Sequence, residues 1–288
     1  MTAPRFSAIV VTFHTGPVLD QCVQALLDAP ACAQIVLVNN GNPVAVVARL
    51  EAQAATNPRL LLLSGHGNIG FGQACNLGAR HAEQAHLVFV NPDCVLDSPA
   101  LDALGAAFAT HPHALIGGAL RNVDGSEQQG CRRGELTLWS ACLSFSGLAR
   151  PTGKQSLWRD FNRTREPFPD DVCDMPVVSG ALMAMARDRF LALGGFDPAF
   201  FLHLEDVDLC TRQRQAGGQV LFAPDVTATH IGGTSQVASW RVTFAKAKSF
   251  TRYFFKHANG PLGHLAAALC VPPLVLALVL RSMVTGRG

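Results

Sequence analysis

The chain has 288 residues, of which 49% are hydrophobic and 15% are charged, and its formal net charge at pH 7 is +2. This composition suits one large or two small globular domains with a sizeable core, and it excludes a disordered chain. The small net charge provides no basic field for a nucleic-acid backbone, and the sequence carries no arginine-rich run. Nucleic acid is therefore not an expected partner.

Cysteine usage indicates a reducing compartment. The chain has nine cysteines, none of them in a CxxC pair. Several lie inside apolar runs, which is typical of buried free thiols. No signal-peptide pattern precedes the first apolar run, "SAIVVTF". We therefore expect a cytoplasmic protein.

Apolar runs with strand character alternate with helical patterns along the chain. The predicted strands span residues 7–13, 34–38, 59–63, 86–90 and 181–186. Helices are predicted at 18–29 and 72–85, from 187, and from 205 to a Gly-Gly pair at 217–218. Strands that alternate with helices favour a mostly parallel sheet with helices on both faces.

Polar residues follow three of the first four predicted strands. Open α/β sheets bind ligands in the crevice beyond the carboxyl ends of their strands, so these residues predict a ligand site at one sheet edge. Asn, Pro and Asp also favour loops for local reasons, which is the alternative explanation. The residues at the strand ends are Thr12, Phe13, His14, Asn39, Asn40, Asn91, Pro92 and Asp93.

Residues 65–72, "GHGNIGFG", follow the third predicted strand and precede a helix. Gly65, Gly67 and Gly70 spell GxGxxG, and Asp93 ends the next strand where a dinucleotide-binding protein has a ribose-binding acid. An NAD(P)-dependent oxidoreductase is therefore one alternative, although the motif does not follow the first strand, as that fingerprint does. Glycines that only allow a tight turn are another alternative.

Residues 121–174 are polar and irregular, with no sustained period. A segment of this length without regular structure is usually functional in a compact domain, and we interpret it as an ordered insertion or lid. Arg132 and Arg133 within it either contact a diphosphate or are ordinary surface arginines.

Three acids, Glu205, Asp206 and Asp208, lie in the mostly apolar stretch "FLHLEDVDLC". Carboxylates in the first turn of a helix satisfy free amide groups and complement the helix dipole, which accounts for one or two of them. The apolar residues 200–204 directly before them suit a carboxylate held ready as a general base. We therefore expect one acid to take part in chemistry. His203 is interpreted as structural.

Together these motifs resemble the inverting family 2 glycosyltransferases of the GT-A fold, and within them the bacterial rhamnosyltransferase-like branch. The resemblance covers roughly residues 6–255. It implies an α/β fold with a Rossmann-like, mostly parallel sheet flanked by helices. The motifs that carry it are "IVVTFHTGPVLDQCVQALL", "IVLVNNGN", "GNIGFGQACNLGA", "FVNPDCVL", "VSGALMAMARDRFLALGGFDPAFFLHLEDVDLCTR" and "TATHIGGTS".

The resemblance implies roles for individual residues. Asp206 would be the catalytic base, with Glu205 beside it as an acceptor contact or support. Asp93 would bind a divalent cation, Mn2+ or Mg2+, and His230 would lie near this metal and the donor phosphates. Donor-binding residues would be Thr12, Phe13, Asn39, Asn68, Gly70, Asn91 and Asp93. Acceptor-binding residues would be Gly180, Phe201 and Glu205.

Two positions depart from the family pattern. The family usually has Asp where this chain has Asn39, and the first acidic place of the DxD-type motif is Asn91. An amide oxygen still accepts a hydrogen bond from a nucleotide base, but it offers a metal only a neutral ligand. A catalytically silent protein that binds nucleotide sugars is therefore a second alternative to the transferase.

The last part of the chain is apolar and flanked by basic residues. Residues 264–280 are almost wholly apolar, but Pro272 and Pro273 interrupt them, so a membrane crossing is not expected. Residues 240–257 read as a basic amphipathic helix. We expect residues 240–280 to associate with a membrane surface, with docking on the chain's own core or on a second copy as the alternative.

The sequence thus predicts a metal-dependent inverting glycosyltransferase of bacterial cell-surface polysaccharide synthesis. The donor would be a nucleoside-diphosphate sugar, with dTDP-rhamnose as the best candidate, and the acceptor a glycan or lipid-linked saccharide. The enzyme would lie on the inner face of the plasma membrane, and a homo-oligomer is possible. The predicted parts are a nucleotide-sugar-binding half (1–120), a lid (121–174), an acceptor and catalytic half (175–238) and C-terminal helices (239–288).

Overall fold

A computed structural model describes residues 4–146, 148, 158–232 and 239–285. The strands are β1 (Phe6–Thr12), β2 (Cys32–Asn39), β3 (Leu60–Leu63), β4 (His86–Val90), β5 (Cys94–Leu96), β6 (Leu115–Arg121), β7 (Arg132–Arg133), β8 (Cys173–Asp174), β9 (Val177–Val178), β10 (Leu182–Ala186) and β11 (Val220–His230). The helices are α1 (Val18–Asp28), α2 (Val44–Thr56), α3 (Phe71–Arg80), α4 (Ala100–Thr110), α5 (Leu138–Ser146), α6 (Arg187–Ala192), α7 (Glu205–Gln215), α8 (Ser239–Lys256) and α9 (Gly260–Thr285).

One mixed sheet forms the centre of the protein. Its strand order is β3-β2-β1-β4-β10-β6-β11-β5, and β8 also pairs with β11. The first four strands are parallel, β10 is antiparallel to both of its neighbours, and β6 and β11 are again parallel. The predicted mostly parallel α/β sheet is therefore confirmed. β7 and β9 form a separate two-stranded sheet.

The central strands are buried on both faces because helices cover the sheet. All seven residues of β1 are buried, which matches its nearly continuous apolar sequence. Helix α3 lies close to this strand at Gly78, where an added Cβ would come within 2.6 Å of Ile9 Cγ2. The nine cysteines are free thiols and six of them are buried.

The predicted strands agree closely with the observed ones, whereas some helices differ. Helices α2 and α4 and strand β6 have no counterpart among the predicted elements. The helix predicted at 72–85 ends at Arg80. The backbone amides after Arg80 bind side chains of β1 and β2 and do not continue the helix. Gln34 of β2 accepts from Glu83 N at 2.9 Å, and Ser7 of β1 accepts from Gln84 N at 3.1 Å.

The segment 121–174 contains short ordered elements around the two-stranded sheet. Bridges join Arg121 to Glu127 and Arg133 to Asn162, and α5 follows β7. Residues 147 and 149–157 of the predicted lid lie outside the described part of the chain. The role of this segment as a lid stays a prediction, as do the other predicted domain boundaries.

The C-terminal helix is longer than the sequence indicated. Both Pro272 and Pro273 lie inside α9, which continues through them, and Gly260–Leu280 is long and apolar enough to cross a membrane by length and composition. The two exposed prolines therefore do not end the helix, and the expectation that this segment does not cross a membrane stays a prediction. Helix α9 packs against α8 and α5 through Ala267, Val271 and Leu274. Its opposite face exposes Leu262, Leu265, Leu269, Leu276 and Leu280.

Candidate active site

Asp93 and His230 meet at the carboxyl edge of the sheet. Asp93 directly precedes β5 and His230 ends β11, and the antiparallel pairing of these strands sets Cys94 opposite His230. Asp93 Oδ1 lies 3.1 Å from His230 Nε2, and Asn91 Nδ2 lies 3.5 Å from the same nitrogen. The structure thus brings together the two predicted metal ligands, which are 137 residues apart in the sequence.

Gln128, which the sequence analysis did not single out, fixes the orientation of His230. Its Oε1 lies 2.5 Å from His230 Nδ1, while its Nε2 donates to His230 O at 3.1 Å and to Asn122 Oδ1 at 3.3 Å. Because His230 O and Asn122 Oδ1 both accept from the amide nitrogen of Gln128, its amide oxygen faces His230 Nδ1. An amide oxygen only accepts hydrogen bonds, so Nδ1 must carry the proton. Nε2 is then the ring nitrogen that faces Asp93.

The side chains at this corner fit a divalent cation. Ligand atoms of Asp93, Cys94 and His230 lie within 4.8 Å of one another. A carboxylate oxygen and an imidazole nitrogen suit Mn2+ better than Mg2+. Burial raises the pKa of the Cys94 thiol well above its usual value, so the sulfur stays protonated and is a poor ligand for a hard ion.

The loop after β2 closes on itself through Asn39. Asn39 Oδ1 accepts hydrogen bonds from Asn42 N and Asn42 Nδ2, both at 2.9 Å, and its Nδ2 donates to Ser64 Oγ at 3.2 Å. Asn42 Nδ2 also reaches the carbonyl of Thr12 at 3.1 Å. The side-chain oxygen of Asn39, a predicted donor-binding residue, therefore already accepts hydrogen bonds within this loop. Thr12 is buried, and Phe13 lies against Gly41 of this loop.

A pair of asparagines holds the "GNIG" loop against the end of β2. Asn40 Nδ2 donates to Asn68 Oδ1 at 3.0 Å, and Asn40 Oδ1 accepts from Ile69 N at 3.1 Å. Asn68 Oδ1 also accepts from Gly70 N at 3.0 Å. Asn68 therefore shapes the turn that leads into α3.

Gly70 lies in contact with the segment that precedes the acids of α7. Its φ is +84°, and an added Cβ would come within 2.7 Å of Phe201 O and 2.9 Å of Phe201 Cδ2. Phe71 N donates to the same carbonyl at 3.1 Å. The close approach that this glycine allows is thus made to the backbone of the loop before α7, whereas the third glycine of a dinucleotide fingerprint packs its helix against the preceding strand.

Asp206 is held in a fixed orientation by three donors. Its Oδ2 accepts from Gly180 N at 3.0 Å and from Arg133 Nη2 at 2.5 Å, and its Oδ1 accepts from Val207 N at 2.8 Å. A side chain at Gly180 would crowd this carboxylate, because an added Cβ would lie 3.1 Å from Asp206 Cβ. Burial raises the pKa of Asp206, but the charge of Arg133 and the hydrogen bonds outweigh burial and leave this pKa below its usual value. Asp206 is therefore ionised at neutral pH.

Glu205 has the opposite protonation state. It is 7% exposed, and its Oε2 has no hydrogen-bond partner among the described residues. Burial, followed by the charge of Asp206, raises the pKa of Glu205 to about 8. The two adjacent acids thus carry one negative charge between them at neutral pH, and that charge lies on Asp206.

Asp208 is fully buried and structural. Its carboxylate contacts Arg212 Nε at 2.7 Å, Lys256 Nζ at 2.7 Å and His257 Nε2 at 2.9 Å. Arg212 also donates to the carbonyls of Leu193 and Gly195. These partners come from α7 and from the end of α8, so Asp208 fastens the C-terminal helices to the catalytic half.

Arg132 and Arg133 are engaged by acids of the protein itself. Arg132 is buried and pairs with Glu127 at 2.7 Å. Arg133 links Asp206 to the carbonyl of Val178 at 2.7 Å. The Arg133–Asp206 pair joins segments 73 residues apart, and no local pattern in the sequence indicates it.

The family described as "Glycosyltransferase like family 2" matches residues 4–254, which is most of the chain. The chain belongs to this family. It is therefore a glycosyltransferase, as the sequence motifs indicated, and the nicotinamide-dependent alternative is set aside.

Two rhamnosyltransferases are similar in sequence. The N-acetylglucosaminyl-diphospho-decaprenol L-rhamnosyltransferase of Mycobacterium tuberculosis is 27% identical over 241 residues, which are 77% of this chain and 74% of that protein. The rhamnosyltransferase WbbL of Escherichia coli K12 is 33% identical over 73 residues, which are 24% of this chain and 27% of that protein.

Solved glycosyltransferases share the fold. GalNAc-T7 with UDP, GalNAc and Mn2+ superposes with a TM-score of 0.63 at 17% identity over 88% of this chain, which spans 51% of that one. Mannosyltransferase PcManGT from Pyrobaculum calidifontis, in complex with GDP-Man and Mn2+, gives 0.60 at 18% identity over 99% of this chain and 76% of that one. The predicted GT-A fold is confirmed.

Replacing Gly70 by alanine should destabilise the protein through its contact with Phe201. We expect Gly70→Ala to lower the free energy of unfolding by about 2 kcal/mol more than Gly65→Ala, measured by denaturant titration. Gly65 also has a positive φ, +95°, but an added Cβ there meets open space, so it controls for backbone strain alone. Equal losses in the two variants would show that the contact with Phe201 contributes nothing.

Replacing Glu205 by glutamine tests whether its carboxyl is neutral in the folded protein. Its pKa of about 8 lies above the usual 4.5, so the wild type loses stability as the pH rises through this interval, whereas glutamine does not titrate. The Tm of Glu205→Gln relative to wild type should rise on the order of 5 °C between about pH 5 and pH 8 and then level off. Glu51→Gln, on an exposed position of α2, should show no such trend. A pH-independent difference in Tm for Glu205→Gln would contradict a raised pKa.

Proposed function

We propose that the protein transfers a sugar from a nucleoside diphosphate to an acceptor hydroxyl with inversion, using Asp206 as the base and a divalent cation held by Asp93 and His230. One observation carries the proposal. Gly180 N binds the Asp206 carboxylate, and the next residue, Ala181, accepts a hydrogen bond from Asn91 N at 2.9 Å. Gly180 and Ala181, the two adjacent residues just before β10, thus connect the proposed base to the candidate cation site.

The protonation states suit this reaction. An ionised Asp206 can accept the proton of the acceptor hydroxyl as that oxygen attacks the anomeric carbon. The neutral neighbour, Glu205, adds no second negative charge that would repel the donor diphosphate. A divalent cation supplies charge neutralisation for the leaving diphosphate when it is bound. Attack from the side opposite the diphosphate inverts the anomeric centre.

We further propose rhamnose from dTDP-rhamnose as the donor sugar and a lipid-linked saccharide of bacterial cell-surface polysaccharide synthesis as the acceptor. The names of the two sequence relatives support the sugar, and the diphospho-decaprenol in the name of the mycobacterial one supports the acceptor. The exposed leucines of α9 support attachment to the inner face of the plasma membrane. Phe201, 48% exposed beside Gly70, fits an acceptor contact. Homo-oligomerisation stays a prediction.

Replacing Asp206 by asparagine should stop the chemical step. We expect kcat to fall by about 10²- to 10⁴-fold because the amide cannot accept the hydroxyl proton, while the donor Kd stays unchanged. Transfer is measured by release of nucleoside diphosphate with a lipid-linked acceptor. Asp225→Asn, at an exposed position of β11, is the matched control. Wild-type turnover in Asp206→Asn would remove Asp206 as the base.

Titration calorimetry should show donor binding that depends on a divalent cation. We expect dTDP-rhamnose to bind with Mn2+ but weakly with EDTA, and Asp93→Ala to abolish the difference.

Gln128→Ala should weaken Mn2+ binding in the presence of dTDP by about 10- to 100-fold, because His230 loses its fixed orientation. Gln129→Ala, on the exposed neighbouring residue, should bind Mn2+ as the wild type does. Equal dTDP-rhamnose binding with Mn2+ and EDTA would contradict the metal site.

A further inference from the structure

Buried polar atoms without partners surround Asp206. Among the described residues, Arg133 Nε, His203 Nε2 and Glu205 Oε2 are buried and make no hydrogen bond. Buried polar groups in folded proteins are nearly always paired. Three such atoms around one carboxylate therefore indicate a place where a polar ligand completes the site.

Lys246 of α8 lies next to this cluster. One turn further along the helix, Ser249 Oγ donates to Leu202 O at 2.9 Å, and residues three apart lie on the same side of a helix. Lys246 therefore lies on the side of α8 that faces this loop, and its charge acts on His203. It is partly buried, and no described carboxylate pairs with it, whereas Lys256 on the same helix binds both Asp197 and Asp208.

The charges of Lys246 and Arg133 act on His203 and are opposed by the carboxylate of Asp206. Burial, followed by the charge of Lys246, lowers the pKa of His203 to about 4. His203 and Leu204 also have left-handed backbone conformations, with φ of +66° and +65°. Such conformations are costly outside glycine and concentrate at functional loops. The loop thus holds an imidazole near two cations on a backbone with two left-handed residues.

We infer that Lys246, His203 and Arg133 form a binding site for a phosphate group of the acceptor. The inference rests on the proposed transfer to a lipid-linked saccharide. Phosphate oxygens would satisfy the unpaired nitrogens and the unpaired ammonium group together, through charge-assisted hydrogen bonds.

The position of the site favours the acceptor over the donor as the source of the phosphate. The donor diphosphate is expected at Asp93 and His230. Lys246, in contrast, belongs to α8, which leads directly into α9 and its exposed leucines. A lipid chain along α9 and a phosphate at Lys246 would place the attached sugar near Asp206. Sharing Arg133 with the phosphate would also weaken its hold on Asp206 and make that carboxylate a stronger base.

The test measures binding of geranylgeranyl diphosphate and of geranylgeraniol in detergent, with EDTA present so that the cation site does not contribute. The wild type should bind the diphosphate at least tenfold more tightly than the alcohol. Lys246→Gln should weaken diphosphate binding by about tenfold, the usual effect of losing one charge-assisted hydrogen bond. Lys248→Gln, on an exposed residue of the same helix, should not, and both variants should melt as the wild type does.

Three outcomes would overturn the acceptor site. The first is equal affinity of the wild type for the lipid diphosphate and for the alcohol. The second is equal affinity of Lys246→Gln and of the wild type for the lipid diphosphate. The third is dTDP binding in EDTA that Lys246→Gln also weakens, which would assign Lys246 and its neighbours to the donor. Turnover is not needed for this measurement. If the lipid diphosphate binds as expected but no nucleotide sugar binds with Mn2+, the phosphate site stands and the proposed transferase reaction fails.

Discussion

Two buried carboxylates and one partly buried carboxylate lie in the first turn of α7, and much of the surrounding structure compensates for them. A buried charge is costly unless it is paired, and each acid meets this requirement differently. Asp208 is paired with Arg212 and Lys256 and also contacts His257. Asp206 is paired with Arg133 and two backbone amides, and Glu205 remains protonated. The pairing of Arg133 with Asp206 positions β7, and the contacts of Lys256 and His257 with Asp208 position the end of α8.

This compensation makes α8 part of the catalytic half. Arg252 and Lys256 bind Asp197, Lys256 and His257 bind Asp208, and Ser249 binds the backbone of the loop between them. The helix that leads to the apolar α9 thus supports the loop that directly precedes the α7 turn with Asp206.

The sequence predicts β1 to β4 and β10 because these strands read as apolar runs, whereas it does not predict β5, β6, β8 and β11 of the same sheet. The sequence also singles out the three acids of α7 as candidate site residues, because their position in a mostly apolar stretch is a local feature. The meeting of Asp93 with His230 follows from the family resemblance and from no spacing rule, because strand pairing brings them together across 137 residues. Arg133 and Gln128 lie in the polar segment 121–174, where no period exists and only tertiary contacts reveal a role. The assigned roles of the site residues stay predictions until variants are measured.

The amide at Asn91 changes the electrostatics of the cation corner. Because Asn91 is an amide, Asp93 supplies the one carboxylate among the ligand atoms that the described residues bring together here, beside the imidazole of His230. One negative charge leaves a divalent cation only half neutralised, and the donor diphosphate would supply the remaining charge. Cation and nucleotide should therefore bind this protein as a unit, each strengthening the affinity of the other by the same factor. A second carboxylate at this position would raise the affinity for the free cation and weaken that coupling.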